Sequence, residues 1–265
     1  VYYPSGSSLQ GGKQRGGKRR SSHCPGELPR GEQEYLRPCR TQQGVDKDGY
    51  VVEQLKQDIL WLKHGKVVIK KNNEPSLVQV AQSTIAALEM AGVQSAVDEG
   101  SVPYDPQTNG AAESAVKLLK GTIRANILGL ERQIQARMPV DHPIMSWLVR
   151  YSATVRTLRV KGADGRTAQQ RVRGSKSITR LIPFTEICRY KARPHEPGIA
   201  HGIWRRSTGV WMSIGRRTGQ YIVYDKAHGG VRTARTILRM LEPQQWLLEA
   251  VKDVSATPWS VHEPS

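Results

Sequence analysis

Between Tyr50 and Leu62, apolar residues fall at Val51, Val52, Leu55, Ile59 and Leu62, three and four positions apart. That spacing predicts an amphipathic helix, with His64-Gly65 as its stop. Val67-Val68-Ile69, within residues 66–70, is a β-branched run and predicts a short buried strand. Glu74-Pro75 opens a second helix over residues 76–91, with Leu77, Val80, Ala81, Thr84 and Leu88 on one face and Gly92 at its end. Residues 93–97 predict a weaker strand. Helix, strand, helix, strand in this order predicts an α/β layer architecture. A loop rich in Pro, Asn, Thr and Gly, residues 101–110, leads into the longest helix, which runs to about Arg137. Its apolar stripe is Val116, Leu119, Ile123, Ile127, Leu130 and Ile134. Asp141-His142-Pro143 predicts a fresh start with Asp141 as N-cap, followed by a face of Ile144, Trp147, Leu148, Tyr151, Val155 and Leu158.

From Leu181 the period shortens. Residues 187–190, 210–214, 221–224 and 231–238 read as short strands, with Gly215, Gly219 and Gly229-Gly230 as turns. Strands at this spacing predict a small β-barrel. The tail after Trp246 begins with a short helix and then frays. Residues 1–45 show neither period and are dominated by Gly, Ser, Pro and basic residues, so they read as disordered. Lys18-Arg19-Arg20 is either a localisation or nucleic-acid patch or an ordinary solvated run. The expected organisation is a disordered segment over 1–45, an α/β domain over 46–178, a barrel over 181–246 and a tail over 247–265.

Charge adds a direction to this outline. The chain of 265 residues carries a net +17, and residues 150–240 hold 16 Arg and 4 Lys against four acids, a net +16. Arginine grips phosphate bidentately and stacks on bases, so a regional Arg excess is the footprint expected for nucleic acid. A generically basic surface is the plainer explanation. An apolar fraction of 38% and a single Phe fit a chain that is only partly packed into a core. Cys24, Cys39 and Cys188 lack paired spacing, which argues against a zinc site or a disulfide framework. No apolar run reaches the roughly 18 residues of a membrane span, and the N-terminus lacks a signal pattern. The expected location is intracellular, with the nucleus in keeping with a DNA partner.

The informative stretch is Tyr104-Asp105-Pro106-Gln107-Thr108-Asn109-Gly110-Ala111-Ala112-Glu113. It delivers a polar loop into a helix whose first turn bears a carboxylate. Lys117, Lys120 and Arg124 follow Glu113 along roughly one face, read here as opposite the apolar stripe. A carboxylate beside a basic ridge suits metal-assisted phosphoryl transfer, the acid holding a divalent ion and the cations the DNA backbone. A Glu that merely stabilises a helix start accounts for the spacing equally well. In the barrel region, Arg205, Arg206, Arg216, Arg217, Arg232, Arg235 and Arg239 stand among Trp204, Trp211, Tyr221 and Tyr224. Backbone contact with base stacking is one reading of that interleaving. Aromatics in the core with arginines outside is the other, and strand alternation permits both.

The Gln107–Glu113 segment resembles the integrase catalytic core of retroviruses and LTR retrotransposons, the Copia-like elements included, within the Pol polyprotein. There a Gln-Ser/Thr-x-Gly loop precedes the third catalytic acid at the start of a long DNA-contacting helix. Val67-Val68-Ile69-Lys70-Lys71-Asn72-Asn73-Glu74-Pro75 is similar to the family's strand end, which carries the second acid before an Asn/Gln-Glu-Pro. Asp164-Gly165-Arg166-Thr167-Ala168 resembles the segment closing the core, and Trp204, Gly209, Gly215, Thr218-Gly219 and Arg232 to Arg235 the small barrel behind it. Coverage is about residues 46–245.

The resemblance implies an RNase H-like α/β core followed by a small SH3-like β-barrel, DNA as partner, assembly as a homo-oligomer, and strand transfer by two Mg²⁺ or Mn²⁺ ions held by three acids. Glu113 takes the third position. Asn72 takes the second, and its neutral carbonyl is a poor substitute for a carboxylate on a hard cation. The first acid belongs on a strand well upstream. Glu27, Glu32 and Glu34 lie in a Pro/Gly/Arg-rich stretch, and Asp46 and Asp48 lie in a loop, so none replaces it. Glu74 is expected to cap the following helix. The hairpin that begins the family's fold is missing from the pattern. Metal binding at Glu113 alone, and hence catalysis, is therefore in doubt. The expectation is an integrase-like nucleic-acid-binding chain with impaired catalysis. The alternatives are an active polynucleotidyl transferase within a longer chain or multimer, and a non-catalytic basic scaffold.

Overall fold

A computed structural model of the chain describes residues 49–100, 110–191, 206–216, 218–227 and 230–260. The stretch read as disordered, residues 1–45, lies outside them. Helix α1 (Tyr50–Leu62) leaves Gly49 in the left-handed region and ends at Lys63, itself left-handed with φ 59°. It has no fully buried residue. Strand β1 (Lys66–Lys71), helix α2 (Pro75–Met90) and strand β2 (Ser95–Gly100) form a β–α–β unit, and β1 and β2 pair in parallel with Val68 opposite Val97. The second strand begins two residues later than its apolar letters suggest, because Ser95–Gly100 is the run that matches β1 in register. Val80, Ala81, Thr84 and Leu88 are buried on α2. On the sheet, Val68 and Val97 are 57% and 51% exposed, so one face of this two-stranded sheet is bare among the described residues.

Helix α3 (Gly110–Ile134) and helix α4 (Ile144–Arg159) pack together and carry the main core. Asn126 on α3 donates to Ser152 Oγ on α4 at 2.8 Å. The start of α4 differs from expectation. The N-cap is Pro143, without a side-chain cap, and the Ile144 N–H donates to His142 Nδ1 at 3.2 Å. His142 Nε2 then donates to the Lys252 carbonyl at 3.1 Å. The imidazole thus takes over the role expected of Asp141 and ties the helix start to the C-terminus. Helix α5 (Ala168–Arg173) begins with a capping box, in which Thr167 Oγ1 accepts from the Gln170 N–H and Gln170 Oε1 from the Thr167 N–H.

Five antiparallel strands follow: β3 (Ile187–Lys191), β4 (Arg206–Ile214), β5 (Tyr221–Asp225), β6 (Gly230–Ala234) and β7 (Ile237–Arg239). Their order is β6-β5-β4-β3-β7. The run read as one strand over 231–238 is two strands at opposite edges of the sheet. Only Arg235 and Thr236 separate them, a reach of about 11 Å from Ala234 to Ile237 at most. The sheet is therefore strongly rolled, yet no ladder joins β6 to β7, so a closed barrel is not formed among the described residues. Gly209 permits this tight sheet. A Cβ there would meet the Tyr224 carbonyl oxygen at 2.7 Å and the Val223 side chain closer still.

One hydrophobic cluster joins the second half of α3, α4, the five-stranded sheet and the C-terminal tail. Phe184, the single Phe, stacks on Tyr151 at 5.1 Å, and Tyr151 meets Trp211 edge-on at 5.4 Å. As far as residue 260, the tail does not fray after its short helix α6 (Leu248–Lys252). Val254 is buried, and Trp147 Nε1 donates to the Ala256 carbonyl at 2.8 Å. Among the described residues, no helix is long and apolar enough to cross a membrane.

Candidate nucleic-acid interface

Gly110 is the first residue of α3, and Glu113 stands exposed in the first turn. The loop residues Gln107 and Asn109 lie outside the described residues. Residues 111–118 are all exposed, Val116 and Leu118 among them at 51% and 55%. The first turns of α3 are thus solvent-exposed, and full burial begins at Ile123. Lys117 and Lys120 are exposed and Arg124 is half-buried.

Glu113, Lys117, Lys120 and Arg124 do share a face. At 100° per residue, however, that face lies about a quarter-turn from the apolar stripe rather than opposite it. Lys120 accordingly lines the same cavity as Val116, Leu119 and Ile123, and Arg124 Nε is buried without a hydrogen-bond partner among the described residues. The ridge flanks the core instead of facing away from it.

Asn72 directly follows β1, half-buried. Glu74 is the N-cap of α2 as expected of its place. It does so through its carbonyl, which accepts from the N–H groups of Leu77 and Val78, while its carboxylate makes no cap bond. Two acids that sequence reasoning passed over, Asp98 and Glu99 on β2, come alongside the end of β1. Lys71 holds Asp98 at 3.1 Å and Lys70 holds Glu99 at 2.9 Å. Only the parallel register brings them there, so no local sequence signal marked them. Among the described residues, no group of three His, Cys, Asp or Glu is arranged to hold a metal ion.

The arginines of the C-terminal sheet divide by environment. Arg205 and Arg217 lie outside the described residues, as does the Arg206 side chain. Arg216 is ion-paired with Asp58 of α1, and burial pushes the Asp58 carboxyl above its ordinary value against the pull of Arg216. Arg216 is therefore a bridge between sheet and helix. Arg239 binds the fully buried Glu186 bidentately at 2.6 and 2.8 Å. Arg232 is half-buried in β6, and Arg235 is exposed in the link between β6 and β7. Of the aromatics between them, Trp211 is 0% and Tyr224 6% exposed, Tyr221 is half-buried, and Trp204 lies outside the described residues. Trp211 and Tyr224 thus serve the core and are not available as stacking platforms for bases. Arg189 and Lys191 are further exposed cations, placed outward by the alternation of β3 with Cys188 and Tyr190 inside. That alternation is legible in Ile187-Cys188-Arg189-Tyr190-Lys191 and was the signal for them.

No protein-family model and no curated protein matches the chain.

Proposed function

We propose that this chain is an integrase-like nucleic-acid-binding protein, derived from a retroelement strand-transfer enzyme and impaired in catalysis. The observation that carries the reading is α3: a long helix, entered after a parallel β–α–β unit, that presents Glu113, Lys117 and Lys120 on one exposed face. In this reading the β–α–β unit and α3 are the remainder of an RNase H-like core, and the rolled five-stranded sheet corresponds to the family's small SH3-like barrel. The partner is the DNA backbone, bound by Lys117, Lys120 and Arg235 together with Arg205, Arg206 and Arg217. Asn72 replaces an acid at the second metal position, so a pair of Mg²⁺ or Mn²⁺ ions lacks its ligand set.

Binding to duplex DNA is measured across a salt series. The expected log–log plot of affinity against salt is linear, and Lys117→Ala with Lys120→Ala reduces its slope by about 2. Affinity indifferent to salt removes the phosphate-contact reading. In a strand-transfer assay with labelled DNA ends and Mg²⁺ or Mn²⁺, no joined product is expected, and Asn72→Asp alone does not create it. Joined product that vanishes in Glu113→Gln would show an active transferase instead.

A further inference from the structure

A cavity of about 590 Å³ lies between α1, the first half of α3, α4 and the end of β4, within the usual size range of small-molecule sites. Leu55 of α1, Val116 and Ile123 of α3 and Val149 of α4 supply apolar walls. Leu55, Val116 and Val149 remain 39%, 51% and 43% exposed, so apolar surface is left unpacked where three helices converge.

Four charged residues share the lining: Asp58, Lys120, Arg150 and Arg216. Asp58 and Arg216 neutralise each other as an ion pair. Arg150 also pulls on the Asp58 carboxyl, and three cations against this one acid give the lining a net positive charge. Arg150 is oriented by the Trp147 ring, 5.7 Å from its centroid. Burial raises the Asp58 carboxyl above its ordinary value against the pull of Arg216 and Arg150. The third observation is Ser146. It lines the cavity at 8% exposure, and its hydroxyl has no hydrogen-bond partner among the described residues. A buried hydroxyl left unpaired is costly and is relieved by an acceptor on a ligand.

We propose that this cavity binds an amphipathic anion. An alkyl chain or fused-ring body lies against Leu55, Val116, Ile123 and Val149, while a carboxylate or sulfonate is held by Arg150 and Lys120 and accepts from Ser146 Oγ. The site stands independently of nucleic-acid binding, with Lys120 common to both.

The test titrates the full chain with 1-anilinonaphthalene-8-sulfonate and then displaces the dye with dodecanoate, dodecanol or dodecyltrimethylammonium below their micelle concentrations. The expected result is one dye per chain, displaced by dodecanoate at a concentration at least tenfold lower than by dodecanol, and not by the cation. Val149→Trp, which fills the cavity, lowers dye affinity at least tenfold. Ala153→Leu does the same more mildly should that variant fail to fold. Arg150→Met removes the preference for dodecanoate over dodecanol while dodecanol still binds. Dye emission that does not saturate, several dyes per chain, or equal displacement by dodecanoate and dodecanol in the unmodified chain overturns the proposal. So does dye affinity unchanged by filling the cavity.

Discussion

At the scale of single residues, burial decides which charged groups are free to act. Glu186 is fully buried, and Arg239 reaches in to its side chain from the edge strand β7 with two hydrogen bonds. Arg239→Ala leaves that charge unpaired. Arg239 is itself 42% exposed, so solvent moderates the effect below that of a fully buried pair, and a loss of about 2 kcal/mol is expected in urea denaturation. Cys188 lies beside this pair. Burial, helped by Glu186, pushes its thiol up to about 12. Iodoacetamide at neutral pH should therefore leave Cys188 unmodified in the folded chain and label it only in denaturant, as read by peptide mass spectrometry. The partner of Glu186 could not be named from the sequence, since Arg239 lies 53 positions away and nothing local joins them. The inertness of Cys188 was more legible, because it occupies an inward position of an alternating strand.

At the scale of elements, local chemistry was read well wherever the chain supplies its own partners. The bounds of α1 coincide with its apolar spacing, and α2 stops just before Gly92. The loop before α5 is likewise self-contained: Arg171 holds Asp164 at 2.7 and 2.9 Å, and Asp164 Oδ1 accepts from the Arg166 N–H. The guanidinium of Arg171 and that N–H hold the Asp164 carboxyl well below the usual carboxylate range. Its folded value is lower than its unfolded one, so its contribution to stability is complete above about pH 4 and is lost as pH falls further. Thermal melts of Asp164→Asn should match the parent protein less well at neutral pH than near pH 2, where the difference shrinks. A constant difference across that range would remove this assignment. Elements set by distant partners were read less well. The start of α4 depends on His142, which is positioned by the Lys252 carbonyl 110 residues away, and Asp141 gave no sign of losing the cap.

At the scale of the whole molecule, the C-terminal tail is structural. Tyr224 donates from its hydroxyl to the Asp253 carbonyl at 2.9 Å, Lys226 pairs with Asp253 at 2.8 Å, Trp147 binds the Ala256 carbonyl and Val254 is 1% exposed. Ending the chain after Lys252 removes the buried Val254 and Pro258 and the hydrogen bonds of Trp147 and Tyr224 to the tail. A destabilisation of about 3 kcal/mol is expected in chemical denaturation. A truncated chain as stable as the parent would restore the view of a frayed end.

The sequence by itself determined the succession of elements apart from helix α5 and the division of β6 from β7, together with the apolar stripes and the basic face of α3, because period and capping are properties of neighbours along the chain. Tertiary structure decided what those elements face. It placed Lys120 beside a cavity, turned Arg216 and Arg239 into ion-pair partners and sank Trp211 and Tyr224 into the core. It also sent β6 and β7 to opposite edges of one rolled sheet across a two-residue link. Such outcomes depend on which distant surfaces meet as the core closes, and residue spacing carries no record of that meeting.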